Sequence, residues 1–141
     1  MHGAGLSVTA GGGAALNIGG NSSSASDYDI NIVHANGGTV TLLDDTRANI
    51  YQYDGVIRGG NNNNFGAFGS GITVYGASSN GIWMGNTNQG SGKLNVVQAP
   101  GATVIVTDNS SANVYNSGGT VHALANSNVG VLGTNINIYC V

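Results

Sequence analysis

The chain has 141 residues, among them 25 Gly and 20 Asn, with a net charge of −3 from six Asp, three Lys or Arg and no Glu. A composition so poor in Glu, Lys, Arg and Leu nearly excludes an all-α fold, and three basic residues are too few to neutralise phosphates, which excludes nucleic-acid binding. No apolar run approaches the roughly 18 residues of a membrane span. The first five residues, Met1-His2-Gly3-Ala4-Gly5, lack the basic start and greasy stretch of a secretory signal. If the protein is secreted, it is expected to be a mature form or to carry an added Met. Disorder is disfavoured because 40% of residues are apolar, with Val and Ile placed at regular intervals.

In chain order, one short motif keeps returning: apolar, small polar, apolar, then Thr, Val or Tyr. It reads Leu6-Ser7-Val8-Thr9, Ile30-Asn31-Ile32-Val33, Ala48-Asn49-Ile50-Tyr51, Ile72-Thr73-Val74-Tyr75, Leu94-Asn95-Val96-Val97, Ala112-Asn113-Val114-Tyr115 and Ile136-Asn137-Ile138-Tyr139. The starts lie 24, 18, 24, 22, 18 and 24 residues apart. A second alternation follows most of them, as in Leu16-Asn17-Ile18, Val40-Thr41-Leu42, Ile82-Trp83-Met84 and Val104-Ile105-Val106. Gly, Asn and Ser fill the intervals, where tight corners need the positive φ that Gly and Asn adopt cheaply.

Set against itself, the chain matches Ile30–Ala77 to Leu94–Val141 without a gap, and 17 of the 48 positions are identical. The pairs include Asn31/Asn95, Asp44/Asp108, Tyr51/Tyr115 and Gly69/Gly133. Short strands of period two, separated by Gly/Asn/Ser turns and repeating at this length, predict an all-β, single-domain parallel β-solenoid over residues 1–141. About six coils of 18–24 residues are expected, grouped by a 64-residue repeat into units of approximately 6–29 (partial), 30–93 and 94–141 (partial). No coil buries its apolar face alone, so stacking must supply the core. An up-and-down or sandwich fold is the runner-up.

From Leu6 onward the chain resembles, in architecture alone, the right-handed parallel β-helix class of pectin-lyase-like enzymes, phage tailspikes and bacterial adhesin stalks. The resemblance implies right-handedness, which the residues themselves do not show. Members acting on pectin-like polymers carry carboxylates and bases on adjacent coils of one sheet. In this chain the matching outward row is Ser7, Asn31, Asn49, Thr73, Asn95, Asn113 and Asn137, with neither acid nor base. Asp44-Asp45 is the one adjacent carboxylate pair, expected to accept hydrogen bonds in a turn rather than to serve acid–base chemistry or Ca²⁺. His2, His34 and His122 share no coil position, and no nucleophile or metal motif occurs. The expectation is a protein that is not an enzyme and has no catalytic residue, cofactor or metal.

Two surfaces remain. If the first and third positions of each motif face inward, the outward strip holds Asn31, Asn49, Tyr51, Thr73, Tyr75, Asn95, Asn113, Tyr115 and Asn137 on one face, suited to lateral packing or to stacking on sugar rings. The rod ends are the other. Leu6 and Val8 at one end, and Ile136, Ile138, Tyr139 and Cys140 at the other, form strands of the same type without a capping repeat. Cys140 is expected to point inward as a small hydrophobe, with an intermolecular bridge as the sharper alternative. The leading expectation is a non-enzymatic, extracellular or cell-surface structural protein whose partner is itself, assembling end to end into a filament. An adhesin or carbohydrate-binding module using the Asn/Tyr face is the alternative, with a glycan as its partner. A piece of a longer adhesin or tailspike is the plainer reading of the bare ends.

Overall fold

A computed structural model describes residues 1–19, 30–86 and 93–141. Its fifteen elements are all strands: β1 (Ser7–Thr9), β2 (Ala15–Ile18), β3 (Asn31–His34), β4 (Thr39–Leu42), β5 (Arg47–Tyr51), β6 (Val56–Gly59), β7 (Asn64–Phe68), β8 (Thr73–Tyr75), β9 (Gly81–Gly85), β10 (Asn95–Gln98), β11 (Thr103–Val106), β12 (Ser111–Ser117), β13 (Thr120–Ala123), β14 (Asn128–Thr134) and β15 (Asn137–Cys140). The odd-numbered strands from β1 to β15, without exception and in order, form an eight-stranded front sheet, and the even-numbered strands form a seven-stranded back sheet. Every pairing between these strands is parallel. The chain therefore winds from sheet to sheet at each half-turn, and the expected parallel β-solenoid is what forms.

The regular turn is shorter than the motif spacings implied. Arg47 pairs with Asn64 and Asn64 with Gly81, and Thr103 pairs with Thr120 and Thr120 with Asn137, each a step of 17. Longer steps occur where the chain passes through 20–29 (Ser7 to Ile32, Ala15 to Thr39) and through 87–92 (Gly81 to Thr103, Thr73 to Val96). The 64-residue repeat is consequently not a structural turn. It carries β3 onto β10, β4 onto β11, and so on to β8 onto β15, and so moves each strand to the opposite sheet.

Corner chemistry sets the half-turn. Positive φ recurs at Gly37, Asp45, Asp54, Asn62 and Gly71, and again one repeat later at Gly101, Asn109, Gly118, Asn126 and Asn135. Successive members in each set lie alternately 8 and 9 residues apart. Asn and Asp tolerate the left-handed region better than other residues with a Cβ, and Gly adopts it freely. At each of these corners one such residue turns the backbone from one sheet to the other; the β8–β9 corner, residues 76–80, turns without one.

Inside, each turn places its side chains over those of the turn before. One inward row of the front sheet runs Val8, Val33, Ile50, Ala67, Met84, Val106, Ala123, Cys140. Its neighbour contains Ala48, Phe65, Ile82, Val104, Val121 and Ile138. Across the interior the back sheet supplies Val40, Ile57, Val74, Val97 and Val114, all fully buried. β-Branched residues and Ala fill most of the space between the sheets, with Phe65 the bulkiest fully buried side chain among the described residues.

Gly69 and its counterpart Gly133 sit at φ +146 and +142, where a Cβ would run into the carbonyl oxygens of Gln52 and Asn116 one turn away. Gly69→Ala is expected to lower stability by on the order of 3 kcal/mol, whereas Asn62→Gly, at a corner already in the left-handed region, should change it by less than about 0.5 kcal/mol. Urea unfolding of the two variants beside the parent checks this, and indistinguishable midpoints would contradict it.

Candidate functional site

The 17-residue step redistributes the Asn/Tyr strip. Asn49, Tyr51 and Asn137 lie on the front sheet, while Thr73, Tyr75, Asn113 and Tyr115 lie on the back sheet. The duplication made Tyr51 and Tyr115 look like equivalent positions of one face; they are equivalent positions of opposite faces. Two members leave the surface altogether. Asn31 and Asn95 are buried, and Val33 and Val97 are buried beside them, because the register puts Asn31 opposite Ala48 and Asn95 opposite Ala112. Ile32 takes the outward position instead and is 40% exposed.

Both buried amides do the same work. Leu6 N–H donates to Asn31 Oδ1 at 3.0 Å, and Ile72 N–H donates to Asn95 Oδ1 at 3.0 Å. Asn95 Nδ2 in turn donates to Gly69 O and to Asn86 Oδ1, each at 3.0 Å. Each Asn thus satisfies a backbone group next to a strand of the previous turn, on the first strand after 20–29 or 87–92. Other corners use the same device: Asn63 Oδ1 accepts from Thr46 N–H at 2.8 Å, Asn80 Oδ1 from Asn63 N–H at 3.0 Å, and Asn116 Oδ1 from Gly101 N–H at 2.9 Å.

Asp44-Asp45 has the turn role expected of it. Asp44 Oδ1 accepts from Asn61 N–H at 2.7 Å, and that bond, with the Asn61 side-chain amide, holds the carboxyl below its ordinary pKa. Asp45 is a positive-φ corner residue at 57°. Among the described residues no three of His, Cys, Asp and Glu gather into a metal-holding group. Asp27 and Asp29, also expected to be corner residues, lie outside the described residues.

Each outer face has its own character. On the front sheet His34, Tyr51 and Phe68 occupy one row on successive turns, with ring centroids 5.1 and 5.2 Å apart and planes within 17° and 27°. His122 and Tyr139 stack in the same way at 5.0 Å. The turn spacing of about 4.8 Å brings rings in register to stacking distance without further adjustment. Beside this ladder a cleft of about 260 Å³ is bounded by Arg47, Asn49, Asn64, Gly66, Phe68 and Trp83. On the back sheet Arg58, Tyr75, Gln98, Tyr115 and Leu132 follow one another, with the Arg58 guanidinium 4.9 Å from the Tyr75 ring centre. Tyr75, Gln98, Tyr115 and Leu132 border a wide, shallow groove of about 570 Å³. Phe68, Trp83 and His34 were missed as surface residues because they fall in the second alternation or off the four-residue motif; the 17-residue step puts His34 and Phe68 in one row and Trp83 in another, over Gly66.

The last turn differs from the rest. Ile138 is 53% exposed and Tyr139 54%, and Cys140 is exposed. The expectation that Cys140 is covered is corrected: it continues the inward row after Ala123, but no described turn lies over it. Ile136, Val129 and Val131 remain partly buried against the core. At the other end Leu6 and Leu16 are also partly buried, Val8 is almost covered, and His2 bridges Gly19 in parallel, one regular turn on. The segment around His2 therefore occupies the back-sheet position one half-turn ahead of β1.

These features define a two-sheet parallel β-solenoid with aromatic outer faces and apolar inward rows whose members on β15 are exposed. No protein-family model matches the chain, and neither a curated protein nor a solved structure shows significant similarity to it.

Asn95→Ala is expected to cost about 1–3 kcal/mol by stranding buried backbone groups, while Asn113→Ala, on the outer face, should stay within about 0.5 kcal/mol. Thermal or urea unfolding distinguishes them; equal losses would mean that Asn95 is not a buried cap.

Proposed function

We propose that this chain is a non-enzymatic structural protein of the cell surface or extracellular space that stacks end to end into a filament. The observation that carries the reading is the match between its two ends. On the last described turn the inward rows reach Ile138 and Cys140, both exposed. At the first turn the same two rows begin with Leu6 and Val8, since Ser7 pairs with Ile32 and Val8 with Val33. A second copy set one turn further along therefore continues Ile138 with Leu6 and Cys140 with Val8.

Strand order supports the same occupant. β14 and β15 end the back and front sheets, and the His2 segment and β1 stand first on those sheets. Stacking thus continues both sheets by parallel β-augmentation, with no sheet left a strand short. The contact is heterologous and does not close on itself, so it propagates. With nine charged side chains in the chain, little repulsion opposes it. Right-handedness and a surface location accompany the resemblance to adhesin and tailspike helices. Self-association needs neither a cofactor nor a catalytic group.

Negative-stain electron microscopy over a concentration series tests the reading. Rods of uniform width that lengthen with concentration are expected, and Ile138→Lys should reduce them to single particles about 35 Å long. Single particles from the unaltered chain at every concentration would overturn it.

A further inference from the structure

The front-sheet cleft has a construction that end-to-end stacking does not require. Phe68 does not stand away from the sheet. Its ring lies over Gly66, two positions earlier on the same strand, in the space that a Cβ at 66 would occupy, and its Cδ1 is 2.7 Å from where a Cβ would stand on Gly85 of the next turn. Trp83 repeats the arrangement: its six-membered ring lies over Gly81, two positions earlier, at 3.3 Å from the position of a Cβ there. Glycines at 66, 81 and 85 leave room for two aromatic rings to lie down on adjacent turns. None of these three has a positive φ that would by itself demand glycine. What they share is the ring above them.

Polar groups border the rings. Asn49 Oδ1 comes within 2.9 Å of the Cβ position at Gly66, and Asn64 Oδ1 within 3.5 Å of that at Gly81. Arg47 completes the edge of the cleft, and Tyr51 stacks behind Phe68. Among the described residues that line it, the cleft has no carboxylate and one cation. A flat apolar platform edged by neutral amides matches a molecule with one face of C–H groups and a rim of hydroxyls. A pyranose ring has that form. At about 260 Å³ the cleft is smaller than the roughly 300–1,000 Å³ of drug-sized pockets, which suits one or two sugar units of a chain passing over the sheet.

We propose that Phe68 and Trp83, lying on Gly66 and Gly81 and flanked by Asn49, Asn64 and Arg47, form a binding site for a neutral saccharide. The molecule contains its own comparison. One repeat further along, the back sheet holds Asn113, Tyr115 and Gly130 in the places of Asn49, Tyr51 and Gly66, but Leu132 stands where Phe68 does. The back face therefore lacks the platform, although Tyr75 and Tyr115 are more prominent in the sequence.

Trp83 is the only tryptophan in the chain, so its fluorescence reads this site directly. The test titrates the protein with the β-1,4-linked glucose and N-acetylglucosamine hexasaccharides and with an α-mannose oligosaccharide. A saturable change in Trp83 emission with at least one probe is expected. Phe68→Ala should weaken that binding about tenfold or more, the loss of one stacked ring. Gly66→Ala, which keeps the ring but lifts it from its bed, should weaken it as well. Tyr115→Ala on the back sheet should leave it unchanged, and circular dichroism confirms that each variant folds. No saturable change with any probe would overturn the proposal. So would binding that survives Phe68→Ala but is lost with Tyr115→Ala, or a front face that responds only to protein concentration, which would make it a lateral contact between copies.

Discussion

The parallel inter-turn ladder is the interaction on which everything else in this molecule depends. Because successive turns hydrogen-bond in register, each residue sits about 4.8 Å above its counterpart, a step of 17 along the chain wherever the turn is regular. Side chains are therefore sorted into rows, and a residue is judged by its row more than by its neighbours in sequence. A β-branched side chain stacks on its own kind in the interior. An aromatic ring stacks on another outside, as His34, Tyr51 and Phe68 do. An amide at a corner reaches the backbone of the turn beside it, as Asn63 reaches Thr46. One geometric step thus produces the core, the aromatic ladder and the corner bonds.

The composition of the interior shapes the balance of stabilising terms. Val, Ile and Ala dominate it, and the buried asparagines among the described residues accept from backbone N–H groups of neighbouring turns. Asn31, Asn63, Asn95 and Asn116 are buried for that reason. An unmet buried donor or acceptor costs about as much as a large apolar side chain contributes, so these amides are structural elements in the same sense as Ile50 or Val74. The abundance of Asn reflects two separate uses. At Asn62, Asn109, Asn126 and Asn135 it turns the backbone through positive φ, and at the buried positions it caps the neighbouring turn.

Much of this was legible in the sequence. Alternating apolar positions, corner Gly and Asn, and an ungapped duplication all point to a parallel solenoid, and the turn role of Asp44 follows from its place after a strand. The turn length was not legible. Eighteen-residue spacings between look-alike motifs, such as Ala48 on Ile30, differ from the true step by one residue. In a structure of period two, one residue exchanges inside for outside, which is why Asn31 and Ile32 changed places. The duplication misled for a related reason. Its offset spans an odd number of half-turns, so it joined Tyr51 and Tyr115 into a face that the fold divides. The positive-φ corner residues carry the correct period, alternately 8 and 9, but Gly and Asn are so frequent here that the pattern stands out only once the backbone is known. The flat rings of Phe68 and Trp83 depend on glycines two positions away, a relation that matters only when the strand is known to be extended and the face exposed.

The end match and the saccharide cleft use different surfaces, so a filament built by stacking would display the front-sheet cleft at regular intervals. Both rest on the 17-residue step that assigns each residue to its sheet. The most direct test of that step is cysteine cross-linking with Cys140 replaced by Ser. Arg58→Cys with Tyr75→Cys joins register partners on the back sheet, and a disulfide detected by mass spectrometry of the unreduced protein is the expected result. Tyr51→Cys with Tyr75→Cys, which a single Asn/Tyr face would make neighbours, should stay reduced because the two lie on opposite sheets. Closure of the second pair and not the first would contradict the account.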